Sequence, residues 1–129
     1  MAEGIPIGLG VDIVPIARIE AMIAGHEAFV STVYTEAEIA YCRRRRRSGR
    51  HFAARFAAKE AVLKALGTGL GKGMDWTDVE VVPDPFGRPK VKLSGGAAEE
   101  AQRRGIREIL VSLSHSDDYA IAQAMALSG

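Results

Sequence analysis

An α+β fold is what this sequence predicts, with helices gathered in the first half of the chain and most strands in the second. Three observations predict it: a long helical pattern over residues 50–66, short β-branched runs at 5–14, 78–82 and 90–93, and two further runs at 108–114 and 119–126 joined by a turn-forming tetrapeptide. A length of 129 residues suits one domain, so a single domain over 1–129 is expected.

Residues 5–14 read as a short buried strand, punctuated by Gly8 and Gly10 and carrying Asp12 inside it. Pro15 suits the first turn of a helix, and Ile16, Ile19, Met22 and Ile23 recur at helical spacing up to Gly25. Thr35 followed by Glu38 has the capping-box spacing, so a second helix opens there and runs into the arginines at 43–47, where Ser48 and Gly49 interrupt it. Over residues 50–66, Phe52, Phe56, Leu63 and Leu66 fall within roughly 80° of one another at about 100° per residue. Lys59 lies inside that stripe and Glu60 at its edge, so both charges must snorkel, pair or serve a site.

Gly67, Gly69, Gly71 and Gly73 form a flexible loop behind this helix. A phosphate-cradling loop puts its glycines before a helix, and no Gly-Lys-Ser/Thr closes this one, so neither a P-loop nor a dinucleotide fingerprint is present. A strand at 78–82, a Pro- and Gly-rich turn at 83–89, a strand at 90–93 and a short polar helix at 96–104 follow. The last two strands form an antiparallel pair through His115-Ser116-Asp117-Asp118.

The net charge of +1 hides an uneven distribution, because residues 43–64 hold nine Lys/Arg and a single acid, Glu60. Such a segment is either a solvated helix face or a surface for an anionic partner: phosphates, an acidic protein or nucleic acid. Near-neutral net charge and the lack of interleaved aromatics argue against nucleic acid. No apolar run nears the roughly 20 residues that cross a bilayer, and no secretory signal is evident, so a cytoplasmic protein without membrane contact is expected. Cys42 is the one cysteine, which excludes an internal disulfide and a cysteine-based zinc site; it reads as an inert thiol.

Asp12 in an apolar strand and Glu60 at the edge of an apolar helix face are the acids hardest to explain as surface residues. Two carboxylates with open positions suit Mg²⁺, which takes hard oxygen ligands and completes its shell with water and substrate phosphate, although either acid could instead pair with an arginine. Lys64 stands four residues after Glu60, the favourable order for a helical ion pair. His115 borders a strand, where a lone histidine is more often structural than catalytic. Ser114 and Ser116 lack a Gly-x-Ser-x-Gly elbow, which disfavours acyl hydrolysis.

Four blocks, taken in order, closely resemble the holo-acyl-carrier-protein synthases, the short trimeric type of 4′-phosphopantetheinyl transferase. They are Gly8-Leu9-Gly10-Val11-Asp12-Ile13-Val14 with Arg18-Ile19; Arg55-Phe56-Ala57-Ala58-Lys59-Glu60-Ala61 with Lys64-Ala65; Gly67-Thr68-Gly69; and Ser112-Leu113-Ser114-His115-Ser116 with Tyr119-Ala120. Gly87-x-Pro89 before a strand fits as well.

The resemblance implies transfer of the phosphopantetheine arm of coenzyme A to a serine of an acyl carrier protein, with 3′,5′-ADP leaving, in support of fatty acid biosynthesis. It implies that Asp12 and Glu60 bind Mg²⁺, that Lys64 stabilises phosphate oxygens, and that Arg55, Pro89, His115 and Ser116 contact coenzyme A, with Gly67 and Gly69 letting the backbone approach the ligand. Glu60 through a water, Asp12, a metal-bound hydroxide and His115 all stand as general bases; the reading favours Glu60 with a water. A homotrimer with the coenzyme in the cleft between subunits is implied, as is carrier docking at Arg18 and Met22. Two departures stand out: Arg18 is the lone cation of its helix, which shifts docking toward residues 43–47, and Asp117-Asp118 is more acidic than the pattern. The alternative is a coenzyme A-binding trimeric module without efficient transfer.

Overall fold

The computed structural model describes residues 4–71 and 73–129. Strand β1 (Pro6–Pro15) leads directly into α1 (Ile16–Gly25), with Pro15 as the extended residue before the first turn. Helix α2 (Phe29–Val33) was not foreseen; five residues without a side-chain cap carry no periodic signal. Helix α3 (Glu36–Arg43) opens on the expected capping box, the Thr35 hydroxyl accepting from the Glu38 amide and the Glu38 carboxylate accepting from the Thr35 amide.

Ser48 and Gly49 do not interrupt a helix, as expected from sequence; they begin the next one, α4 (Ser48–Leu66). The break falls one residue earlier, at Arg47, which adopts the left-handed conformation with φ 53° and ψ 54°. A β-carbon at Gly49 would meet only the end of the exposed Glu20 side chain, which can swing aside. Gly67 closes α4 in the left-handed conformation, its amide donating to the carbonyls of Leu63 and Lys64. A 3-10 turn at Trp76–Asp78 takes Asp78 out of the strand foreseen at 78–82, and β2 (Val79–Pro83) pairs antiparallel with β3 (Pro89–Leu93). Helix α5 (Gly95–Arg103), β4 (Ile106–His115) and β5 (Tyr119–Ser128) complete the chain.

The three long strands form an antiparallel sheet in the order β1-β5-β4. Its inner face carries Gly8, Gly10, Asp12 and Val14 on β1, the alanines 120, 122, 124 and 126 on β5, and Val111, Leu113 and His115 on β4. Small residues let α4 settle onto this face: a β-carbon at Gly10 would lie 2.8 Å from the Ala61 carbonyl carbon and 2.9 Å from the Ala65 nitrogen, with the Ala61 oxygen closer still. Most of α4 is buried, including Ala57, Ala58, Ala61, Val62 and Leu63, which explains why its apolar stripe is poorly defined in sequence.

Lys59 neither snorkels nor serves a site. It is fully buried and forms a 2.8 Å ion pair with the equally buried Glu38, while also donating to the carbonyls of Trp76 and Val79. Glu38 in turn accepts from the Val81 amide at 2.8 Å, so one ion pair ties α3, α4 and β2 together.

The outer face of the sheet is bare. β1 is therefore not buried on both sides as expected: Leu9, Val11 and Ile13 are 65, 56 and 59% exposed, and Leu110, Tyr119 and Ile121 extend the apolar surface across β4 and β5.

Candidate functional site

Two groups of the foreseen residues come together, on different flanks of α4. The first is built where β1 passes under the C-terminal half of the helix. Period-two alternation turns Asp12 inward beside Gly10, and Lys64 reaches down from α4 to place Nζ 3.1 Å from the Asp12 carboxylate and 2.9 Å from the Val11 carbonyl. Glu60, one turn earlier, is half-buried. Burial first, and then the Asp12 charge, raise its carboxyl above the ordinary carboxylate value, against the lowering influence of Lys64 and Arg18. The helical pair expected between Glu60 and Lys64 is replaced by the Asp12–Lys64 pair, because β1 brings a carboxylate within closer reach of the ammonium group.

Two carboxylates that repel one another across a strand–helix junction, with a half-exposed lysine beside them, form an oxygen-rich donor set suited to a hard divalent cation. Arg18 on α1 is near enough to act on Glu60, and Met22, four residues on, shares its helix face.

The second group lines a cleft of about 160 Å³ on the β4 side of the helix: Tyr41, His51, Ala54, Arg55, Pro83, Gly87, Pro89, Leu113 and His115. Arg55, Pro89 and His115 were foreseen there; Tyr41 and His51 were not. The Arg55 guanidinium stacks 3.8 Å over the Tyr41 ring, and the His51 and His115 rings meet edge to face at 5.7 Å. Arg55 is only 6% exposed, and its Nε is a buried donor without a hydrogen-bond partner, a cost that an anion in the cleft would relieve. Burial, then Arg55 and His115, push the His51 imidazole below its usual value, favouring the neutral ring. His51 could have been found as the residue one helical turn before Arg55.

Other foreseen residues lie apart. Ser116 sits in the exposed β4–β5 turn, its hydroxyl accepting from the Tyr119 amide at 3.1 Å and the Asp118 amide at 3.3 Å. Gly67 borders an open hollow with Lys64, Gly8 and Arg104, whereas Gly69, at φ 62°, faces open space. Cys42 is buried and its thiol is pushed up to about 11, in keeping with an inert side chain.

The structure also sorts the basic segment. Arg45 stacks on Tyr41, Arg47 and Arg50 face Asp117, Arg55 enters the cleft, Lys59 pairs in the core and Lys64 meets Asp12. Arg43, Arg44 and Arg46 remain on the surface.

Residues 8–124 match the model of the 4′-phosphopantetheinyl transferase superfamily. A curated relative, a holo-[acyl-carrier-protein] synthase of Moorella thermoacetica, is 49% identical over 119 residues, covering 92% of each chain. Among solved structures, the Helicobacter pylori holo-[acyl-carrier-protein] synthase in complex with coenzyme A superposes with a TM-score of 0.81 at 32% identity, covering 92% of this chain and 98% of that one. The Plasmodium yoelii acyl carrier protein synthase with ADP bound gives a TM-score of 0.86 at 32% identity, covering 97% of both.

Proposed function

Because the chain belongs to the 4′-phosphopantetheinyl transferase superfamily, we propose that Asp12, Glu60 and Lys64 form its catalytic centre and that the Arg55–His115 cleft holds the nucleotide end of coenzyme A. The chain is a phosphopantetheinyl transferase: it moves the 4′-phosphopantetheine group of coenzyme A to a serine of an apo-acyl carrier protein and releases adenosine 3′,5′-bisphosphate. The observation that carries the residue assignment is the meeting of Asp12, Glu60 and Lys64 at one strand–helix junction.

In the reaction a bond forms between the serine oxygen and the phosphorus next to the pantetheine, and the bond from that phosphorus to the bridging oxygen breaks. Asp12 and Glu60 are the residues that would hold Mg²⁺, which when bound neutralises charge on the pyrophosphate. Lys64, half-exposed, turns from Asp12 to the phosphate oxygens. Glu60 orients a water that takes the serine proton, because a carboxylate that also holds a cation is by itself a weak base. Arg55 supplies the buried donor, and His115 and Pro89 the walls, for the nucleotide.

Glu60 and Arg55 are five residues apart on α4, roughly 140° around the helix, and His51 is about 180° from Glu60. The helix stands between the two groups, so a coenzyme molecule engages both kinds of group when they come from neighbouring copies. The apolar outer face of the sheet is the surface those copies would share, in a homotrimer with sites between subunits. Arg18, close enough to act on Glu60, and Met22 on the same helix face dock the carrier protein. The chain acts as one domain, serves fatty acid biosynthesis and works in the cytoplasm; among the described residues no helix is long and apolar enough to cross a membrane.

Incubation with apo-acyl carrier protein, coenzyme A and Mg²⁺, followed by intact-protein mass spectrometry, tests the reading. The carrier should gain about 340 Da, and EDTA should abolish the gain. Coenzyme A binding without any gain on several carriers would favour a binding module instead.

A further inference from the structure

Asp117, in the turn between β4 and β5, carries a carboxylate 3.5 Å from Arg50 and 3.8 Å from Arg47. The three residues adjoin the cleft along the chain without lining it: Arg50 precedes His51, and Asp117 stands two residues beyond His115, and both histidines line the cleft. Arg50 is largely covered, whereas the Asp117 side chain is 89% exposed. Arg47 is the one described non-glycine residue at positive φ, a strained conformation that turns the chain into α4 beside this carboxylate.

We propose that Asp117 is a specificity-determining residue whose carboxylate occupies the Arg47–Arg50 pair and competes there with a phosphate of the incoming coenzyme. The inference rests on the reading of the cleft as the nucleotide site. Both separations exceed hydrogen-bond length and the carboxylate is solvated, so the pair is weak and a multiply charged phosphate displaces it. After displacement the carboxylate remains nearby as a like charge. Asp117 therefore lowers affinity for ligands phosphorylated at this end and leaves ligands lacking that phosphate untouched. The acidic turn noted in the sequence thereby acquires a role.

Calorimetric titration of the wild-type protein and Asp117→Asn with coenzyme A and with 3′-dephospho-coenzyme A tests this. Asp117→Asn should bind coenzyme A about 3- to 5-fold more tightly at low salt, and the gain should fade in roughly 0.5 M salt. Dephospho-coenzyme A should bind both proteins alike, and Asp117→Glu should keep wild-type affinity. Unchanged or weaker binding of coenzyme A to Asp117→Asn would overturn the proposal, as would equal tightening of both ligands. A wild-type protein that binds coenzyme A with no change on the substitution refutes the role of Asp117 alone; one that binds neither ligand refutes the nucleotide site and this role together.

Discussion

Replacing Gly10 with alanine tests how the proposed catalytic centre is assembled, because the residue matters through space alone. Its φ is not in the left-handed region, so alanine suits the strand itself. A β-carbon, however, would meet the Ala61 carbonyl group and the Ala65 nitrogen of α4, with separations of 2.8 and 2.9 Å to the carbonyl carbon and the nitrogen. These are backbone atoms within a buried helix and cannot swing aside, so β1 must retreat from α4 by a distance on the order of 1 Å. Overpacking of this kind costs about 3 kcal/mol, or roughly 10 °C in Tm for a chain of this size. Asp12 lies two residues along the same face and moves with the strand, away from Glu60 and Lys64. Gly10→Ala should thus lose stability and also need more Mg²⁺ for half-maximal transfer. Thermal unfolding at matched protein concentration and a Mg²⁺ titration of carrier modification measure the two effects. Wild-type Tm together with a wild-type Mg²⁺ requirement would refute the close seating of β1 on α4.

Three further outcomes follow from the same geometry. Because burial and Asp12 raise the Glu60 carboxyl, the folded state binds its proton more tightly than the unfolded chain, and stability falls as pH rises through the window from about 4.3 to the raised value. Glu60→Gln should therefore raise Tm at pH 7 in EDTA, lose that gain below about pH 4, abolish transfer, and lose the wild type's Mg²⁺-induced rise in Tm; a lower Tm at pH 7 would contradict it. Lys59→Met strands the Glu38 carboxylate in the core and should cost about 3–5 kcal/mol in denaturant unfolding. A loss below 1 kcal/mol would mean that the pair is hydrated. Val11→Asp, on the bare face of the sheet, should shift the protein to monomer in size-exclusion chromatography with light scattering and remove activity; an unchanged mass would exclude that face as the interface.

Local chemistry made much of the fold legible. The Pro15 start and Gly25 stop of α1, the Thr35–Glu38 capping box and the final hairpin each leave a signature within a few neighbouring residues. Ser48-Gly49 misled because the break is made by Arg47 in the left-handed conformation, which an arginine rarely adopts and which no local sequence signal announces. The partner of Lys59 lies 21 residues upstream on another helix, beyond the reach of periodicity. At the site, Asp12 and Glu60 betrayed themselves as charges in apolar settings, and family resemblance drew attention to Arg55 and His115. Tyr41 gave no such signal and His51 only its place one helical turn before Arg55: an aromatic ring and a histidine on helices are ordinary until folding brings them over the same cleft.

The placement of the two residue groups on different flanks of α4 has a genetic consequence. In an assembly with sites between subunits, no chain owns a complete site, and each chain lends half of itself to one neighbour. A lesion confined to either half, at Glu60 or at Arg55, would disable the site it helps to build and leave others in a mixed assembly working, so such alleles should behave as recessive. A lesion on the outer sheet face would be different in kind. A chain that still joins its neighbours but packs them badly would compromise sites whose own residues are intact, and dominance would follow from position rather than from chemistry; one that cannot join at all would stay apart and be recessive.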